Sequence, residues 1–380
     1  MRTVRIGILI SAISAATCFG QAANASNAIL QANAANISLL EIRTPDNLAC
    51  NIDVVSRPQD MVQVTYEKTA KANSEETRQR FMNLIDVVLD DNAQEAGALR
   101  LRILTPTEAP WEGTSNSAGI DVFIAVPENF KIDSKNSFSK INLTGPLSQV
   151  WVSNEYGEVT AQDIDGEINI RTSYANVDLN NIKGDINIET SYSRIKAKNI
   201  DIGNNPGLFE TSYGIIELTD VKGPIEANTS YEAIIVRNID AGEGSVILRT
   251  SYGRINADNI KGELVCETSY NPVELTNINF THGMNKVETR YSQINLDLAG
   301  ISDAQLIVNN TYNNIDVTLP RDISARLALA VDKGGKIHTR GFAIKPLVME
   351  KNRLEGLIGD GRARLELNID GIGEISIEGK

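Results

Sequence analysis

Nine of the ten tyrosines, Tyr156, Tyr174, Tyr192, Tyr213, Tyr231, Tyr252, Tyr270, Tyr291 and Tyr312, stand 18 or 21 residues apart. A phenol offers a flat apolar ring and a hydroxyl that both donates and accepts hydrogen bonds. A ladder of phenols is therefore suited to stacking or to holding a polymer, less so to moving protons at neutral pH. Residue types with stronger catalytic capacity are sparse. His282 and His338 stand alone, and no Cys or His spacing of a metal site occurs. Oppositely charged pairs do recur one period apart, Asp178 with Lys196 and Arg171 with Glu189. A polysaccharide lyase or glycosidase needs paired carboxylates, or a carboxylate with a basic partner, on neighbouring strands. Alternating charge along a sheet face serves ladder stabilisation equally well. The irregularities between tyrosines are short and evenly spread, so the pattern favours a protein without catalysis, cofactor or metal.

The residues around each tyrosine show which elements position it. Three positions after it come Val159, Val177, Ile195, Ile216, Ile234, Ile255, Val273, Ile294 and Ile315, all β-branched. The columns five after and four before are apolar throughout, as Leu218 and Phe209 illustrate around Tyr213. Offsets of two with polar residues between are the period of a strand with one buried face. One rung reads as strand 168–172, a corner at 173–176, strand 177–179 and a second corner at 180–181. Seven after the tyrosine stand Asp163, Asn181, Asn199, Asp220, Asn238, Asn259 and Asn277. Asn and Asp tolerate left-handed backbone and bond locally, so this column predicts a tight turn. Gly166, Gly184, Gly223 and Gly262 extend that prediction to the corner after it.

A fixed period of this length marks a solenoid. Stacking its coils sets each strand beside its counterpart, so the sheets are parallel with about 4.8 Å per rung, or roughly 40 Å for the whole ladder. The 21-residue steps break the register in sixes of a left-handed hexapeptide helix, and parallel crossovers are right-handed. The expected fold is all-β: a right-handed parallel β-helix of about nine coils over residues 146–320. Open strand edges at its ends require covers. Residues 26–145 are expected to form a small β-rich N-terminal cap with one short helix, and 321–380 a β-rich C-terminal cap. Asn73 or Ser74 is placed to start the helix, with Phe81, Leu84, Ile85 and Val88 on one face. Residues 85–89 also alternate, however, and fit a hairpin with 98–104. At the far end, 363–369 and 374–377 read as closing coils.

The N-terminus combines Arg2 and Arg5, an apolar run over 6–19 and the small-residue stretch Ala23-Asn24-Ala25. These are the parts of a secretory signal cleaved after Ala25. Thr17 is a poor residue before an acylated cysteine, which argues against a lipid on Cys18. Cleavage removes two of the 36 basic residues and none of the 49 acidic ones, taking the formal charge from −13 to −15. Such a surface repels nucleic acid. No later stretch is apolar enough to span a bilayer as a helix. The mature chain is thus expected in the periplasm, on the cell surface or outside the cell. Of its two cysteines, Cys266 falls in an apolar column and reads as a buried free thiol rather than a partner of Cys50.

The triplet Thr-Ser-Tyr recurs six times, first at Thr172 to Tyr174 and last at Thr268 to Tyr270. In a continuous pleat Thr and Tyr share a face. The alternation therefore favours rings stacked inside the coil. The other reading turns the rings outward at the corner as a column of phenols facing a glycan chain or a partner's strand edge. The 21-residue steps add residues near 204–206, 241–243, 282–283 and 302–303, all at one edge of the coil; ordinary loop drift is the favoured account of them, and a contact surface the other.

Three features carry a family resemblance: Val126-Pro127, the rung Gly184-Asp185-Ile186-Asn187-Ile188-Glu189-Thr190-Ser191, and Gly359-Asp360-Gly361 followed by 365–377. Through them, residues 35–378 resemble the secreted β-strand repeat proteins called putative adhesins, with a head domain of the GIN type. The resemblance implies a repeat fold and a cell-envelope role in binding polysaccharide or a cell-surface protein, and it implies no activity. Tyrosine stands where that family carries a small residue before the turn glycine, and only Tyr156, Tyr213 and Tyr252 keep Gly next.

Overall fold

The computed structural model describes residues 28–91, 97–203 and 205–380. The expected leader lies outside them, as does Asn204. Among the described residues the protein is all-β apart from one α-helix, Glu75–Asn83, and no helix is long and apolar enough to cross a membrane. The chain divides into two units, Met1–Lys183 and Gly184–Lys380.

In the first unit the strands preceding a tyrosine, or its equivalent, form one parallel stack. Its spatial order is Ala98–Leu104, Leu39–Arg43, Lys131–Lys135, Gln149–Asn154 and Glu167–Thr172. The strands that follow form a second stack, Ser117–Pro127, Ala49–Arg57, Ser139–Thr144, Val159–Asp165 and Val177–Lys183. Val152 lies opposite Ile170 and Ala161 opposite Leu179, so the apolar columns of the sequence are the register of the sheet. The parallel stack begins well before the first tyrosine, and its early coils are out of chain order. Antiparallel strands cover its open edges. Met61–Lys71 lies on Ser117–Pro127, Ala28–Asn33 on Met61–Lys71, and Asp86–Asp90 on Ala98–Leu104.

The helix and the hairpin of the N-terminal region both form, in succession. Ser74 Oγ accepts from Thr77 N at 3.1 Å to start the helix. The helix ends at Asn83, because Ile85 is fully buried and the chain turns directly into Asp86–Asp90. Phe81 packs edge-on against Trp111, their ring centres 5.5 Å apart.

The second unit repeats the two-stack plan. The strands before each tyrosine run from Ile186–Glu189 through Gly207–Glu210 and Ile225–Asn228 to Met284–Glu288 and Gln305–Asn310. Between them come the C-terminal halves of two long strands, Ile234–Arg249 and Ile255–Glu267, each carried through its corner. Ala363–Ile369 follows and then Ala325–Val331, so the coil at 363–379 sits inside the one at 325–340. The expected closing coil is therefore the penultimate one. Arg353–Ile358 covers the last edge antiparallel to Ala325–Val331, and Ile344–Met349 lies antiparallel on it.

The Asx column adopts left-handed backbone at all seven positions, with φ between 55° and 58°. It bends the chain inside a strand rather than ending one: Ile216–Lys222 runs straight through Asp220. Adjacent members bond side chain to side chain, Asn238 donating to Asp220 at 2.8 Å and Asn259 to Asn238 at 2.9 Å. Gly166 has no left-handed backbone. It is there for close approach, since a Cβ would come within 2.2 Å of Ser148 O.

Candidate functional site

The tyrosines face solvent. All nine are 45–51% exposed, whereas the threonines two residues earlier, Thr172, Thr190, Thr211, Thr229, Thr250 and Thr268, are buried. This corrects the expectation that both line the interior. In the second unit the pleat stops at the residue before the threonine, as Gly207–Glu210 and Ile225–Asn228 show, and alternation has no hold on the bend that follows. The threonine hydroxyl closes that bend. Thr211 Oγ1 accepts from Gly214 N at 3.1 Å, and Thr250 Oγ1 from Gly253 N at 3.0 Å. Asn154 and Asn310 take the same position at other rungs, also buried.

Each bend hangs on the rung before it. Tyr213 N donates to Ser191 O at 2.9 Å, Tyr252 N to Ser230 O at 2.8 Å and Tyr291 N to Ser269 O at 3.0 Å. The rings inherit that spacing. In the second unit Tyr192, Tyr213, Tyr231, Tyr252, Tyr270, Tyr291 and Tyr312 stack in one column, with centre distances of 4.6–5.4 Å and planes within 15° of parallel. In the first unit Tyr156 stacks between Phe138 at 4.8 Å and Tyr174 at 5.0 Å. The period was legible at Phe138, which stands 18 before Tyr156 with Ile141 three and Leu143 five positions after it. A ladder defined by tyrosine alone misses it.

Stacking decides what the column can offer. Within the stack each ring face is covered by its neighbours, and a Cβ at Gly371 would stand 3.0 Å from Tyr312 Cδ1, so the last ring packs on a glycine. What remains exposed is a row of ring edges and hydroxyls at rung spacing. The nearby Tyr231 phenol, with a smaller contribution from desolvation, pushes the Tyr213 phenol above its ordinary value.

A row of charge runs along the outer face of the strands before the tyrosines. Arg249 bonds Glu226 at 2.9 Å and Glu267 at 3.0 Å, and Lys286 bridges Glu267 at 3.2 Å and Glu288 at 2.8 Å. Apart from Lys286 with Glu288, which lie on one strand, these are alternating ladder pairs across neighbouring strands. Of the pairs singled out in sequence, Arg171 and Asp178 belong to the first unit and Glu189 and Lys196 to the second. His338 Nε2 lies 3.6 Å from Glu374 Oε2, and His282 Nδ1 bonds Thr281 Oγ1 at 3.0 Å. Among the described residues no group of three His, Cys, Asp or Glu side chains is placed to hold a metal. Cys50 and Cys266 are buried free thiols; burial pushes the Cys50 thiol up to about 12 and that of Cys266 up as well.

The even repeat gives no sign of a cleft, yet the second unit contains one of about 780 Å³. Its floor is the row Glu267, Glu288, Asn309 and Asn368, opposite one another on four successive strands. One wall is the covering hairpin at Glu350, Asn352 and Arg353, and the other holds Ser269, Arg290 and Thr311, each directly before a ladder tyrosine. The cleft exists because the closing coils leave chain order, which the period does not encode. Burial alone would raise the Glu288 carboxyl, but bonds from Lys286 and Asn309 outweigh it and hold the group below the usual carboxylate range.

No family model matches the chain, and no curated protein matches it in sequence. Among solved structures, a protein described as a putative cell adhesion protein from Clostridium sporogenes is similar at 10% identity with a TM-score of 0.21. The match covers 94% of this chain and 100% of that one.

Proposed function

We propose that the protein is an exported, non-enzymatic binding scaffold of the cell envelope, an adhesin whose tyrosine column meets a polysaccharide chain or a surface protein. The observation that carries the reading is the column itself: exposed rings held in register by backbone bonds from rung to rung. A contiguous row of exposed aromatic edges and hydroxyls on a rigid framework marks an interaction site. A right-handed parallel β-helix of about nine coils belongs to the same reading, supported by parallel registers that advance by one period. Export rests on the basic and apolar N-terminus.

Glycan-array binding by the mature chain, compared with a variant carrying Ala at Tyr213, Tyr231 and Tyr252, tests it. Binding lost from a folded variant supports the reading; undiminished binding sinks it. A second reading, a polysaccharide lyase or glycosidase, has the carboxylates of the cleft in its favour. The lowered Glu288 pKa suits neither the raised general acid of a glycosidase nor a neutral donor. Release of new sugar ends from a polysaccharide by the wild-type chain, abolished in Glu288→Gln, would establish that reading instead.

A further inference from the structure

We infer that the cleft at 267–370 and the adjoining tyrosines form one continuous site for a neutral, linear polysaccharide, the cleft gripping one stretch of the chain and the ladder carrying the rest. This deepens the reading above and rests on it for the role of the ladder.

Three observations converge. The first is continuity. Ser269, Arg290 and Thr311 line the cleft, and the next residue in each case is Tyr270, Tyr291 or Tyr312. The wall of the cleft is therefore continuous in backbone with the last three rungs of the ladder, and the rings adjoin the lining without belonging to it. The second is the chemistry of the walls. The volume of about 780 Å³ is that of a ligand site, but amides, carboxylates, hydroxyls and guanidiniums predominate over the few apolar residues, Ala330, Val331 and Ile369. Donors and acceptors interleave along the floor: Asn309 Nδ2 donates to Glu288 at 2.8 Å, and Asn368 Nδ2 donates to Asn309 Oδ1 at 3.3 Å. Such a surface matches groups that donate and accept at once, which is what sugar hydroxyls do. Carboxylates of Glu267, Glu288, Asp332, Glu350 and Asp370 outnumber the guanidiniums of Arg290 and Arg353 in the lining. A polyanion such as a uronate or sulfated chain is repelled.

The third observation is pitch. Rings recur every 4.6–5.4 Å, and an extended β-1,4-linked hexose chain advances by close to one such spacing per sugar. Each sugar then meets one ring edge and one phenol hydroxyl. A peptide strand, at about 3.3 Å per residue, also spans two rungs in three residues, but its side chains alternate faces, so the same face meets the ladder again only at the sixth residue, after four rungs. Polyproline, at about 3.1 Å per residue, returns to register only at every third residue, after two rungs. It is the rival that the test must include.

The experiment is isothermal titration of the mature chain with cellohexaose, chitohexaose and a polyproline peptide. Cleft variants (Asn309→Ala with Asn368→Ala, and separately Asp332→Asn with Asp370→Asn at the exposed mouth) are compared with the ladder variant Tyr270→Ala with Tyr291→Ala. Circular dichroism checks each fold, and the mouth pair serves if the floor pair fails to fold. Expected is binding of a neutral hexaose, weakened about tenfold by a cleft pair and by the ladder pair, as one or two lost hydrogen bonds would give. Loss in the ladder variant with both cleft pairs unchanged overturns the shared site and leaves the ladder reading standing. Loss in the cleft variants alone removes the ladder from the site and with it this inference. Binding of polyproline in place of both hexaoses, or of none of the three, overturns it too.

Discussion

Thr250 shows why a single hydroxyl can decide which way a neighbouring aromatic ring points. Its Oγ1 accepts from Gly253 N at 3.0 Å and lies 3.4 Å from Glu232 O on the rung before, inside a bend whose other side carries exposed Tyr252. Valine has the same shape without the hydroxyl, so Thr250→Val leaves a buried N–H unpaired. The expected cost is about 1–3 kcal/mol, read as a lower denaturation midpoint, while Thr250→Ser keeps most of it. A Val variant as stable as the wild type would remove the hydroxyl from the account. The phenols beyond it predict a pH effect. The Tyr213 proton is held more tightly folded than unfolded, chiefly because of Tyr231. The stabilisation is complete below the ordinary phenol value of 10.0 and is lost as pH rises through the higher folded value. Phenolate absorbance should therefore titrate at higher pH in the folded than in the denaturant-unfolded chain, with Tyr213→Phe removing part of the shift. Coincident titrations would show that the stacked rings do not sense one another.

At the scale of the rung, the sequence carried most of the answer, because inward positions and left-handed turns each demand a narrow set of residue types. The β-branched column from Val159 to Ile315 is fully buried, and the seven Asx residues all have positive φ. What could not be seen was where a strand stops. Alternation continues on paper through Thr211 and Tyr213, but the backbone leaves the pleat at Glu210, and a period-two reading has no symbol for that. The same limit placed a corner at 180–181 where the strand Val177–Lys183 merely bends. Asn238 tests the turn account at this scale. It has φ of 55° and bonds both Asp220 and Asn259. Asn238→Ala is expected to cost about 1–2 kcal/mol from the left-handed backbone alone, and Asn238→Gly distinctly less, since glycine accepts that backbone and loses only exposed bonds. Chemical denaturation of the two variants side by side checks the order; equal losses would assign the column to its side-chain ladder instead.

Across the whole molecule, the repeat told where coils would stack but not where the chain would step out of order. Leu39–Arg43 pairs with both Ala98–Leu104 and Lys131–Lys135, and Ala363–Ile369 with both Gln305–Asn310 and Ala325–Val331. Strand partners that far apart in sequence leave no period to read. That the open edges would be covered was expected, because an open parallel edge pairs with whatever reaches it, yet the antiparallel direction of the covers was not, since their composition is ordinary hairpin and marks no partner. The cover of the second unit shows what such an element is for. Leu354 and Ile358 are its buried anchors, set against Ala325–Val331, whose Leu327, Leu329 and Val331 are also buried. Replacing both anchors, Leu354→Arg with Ile358→Arg, puts two charges into that contact, and a buried unpaired charge is strongly destabilising. The hairpin should detach while the coils beneath, held by their own parallel registers, remain. The backbone edge of Ala325–Val331 is then free to pair with another copy. Light scattering should show self-association rising with protein concentration well beyond that of the wild type, with strand content by circular dichroism retained. A variant that detaches its hairpin, seen as new proteolytic cleavage within 344–358, yet associates no more than the wild type would show that the cover guards no edge.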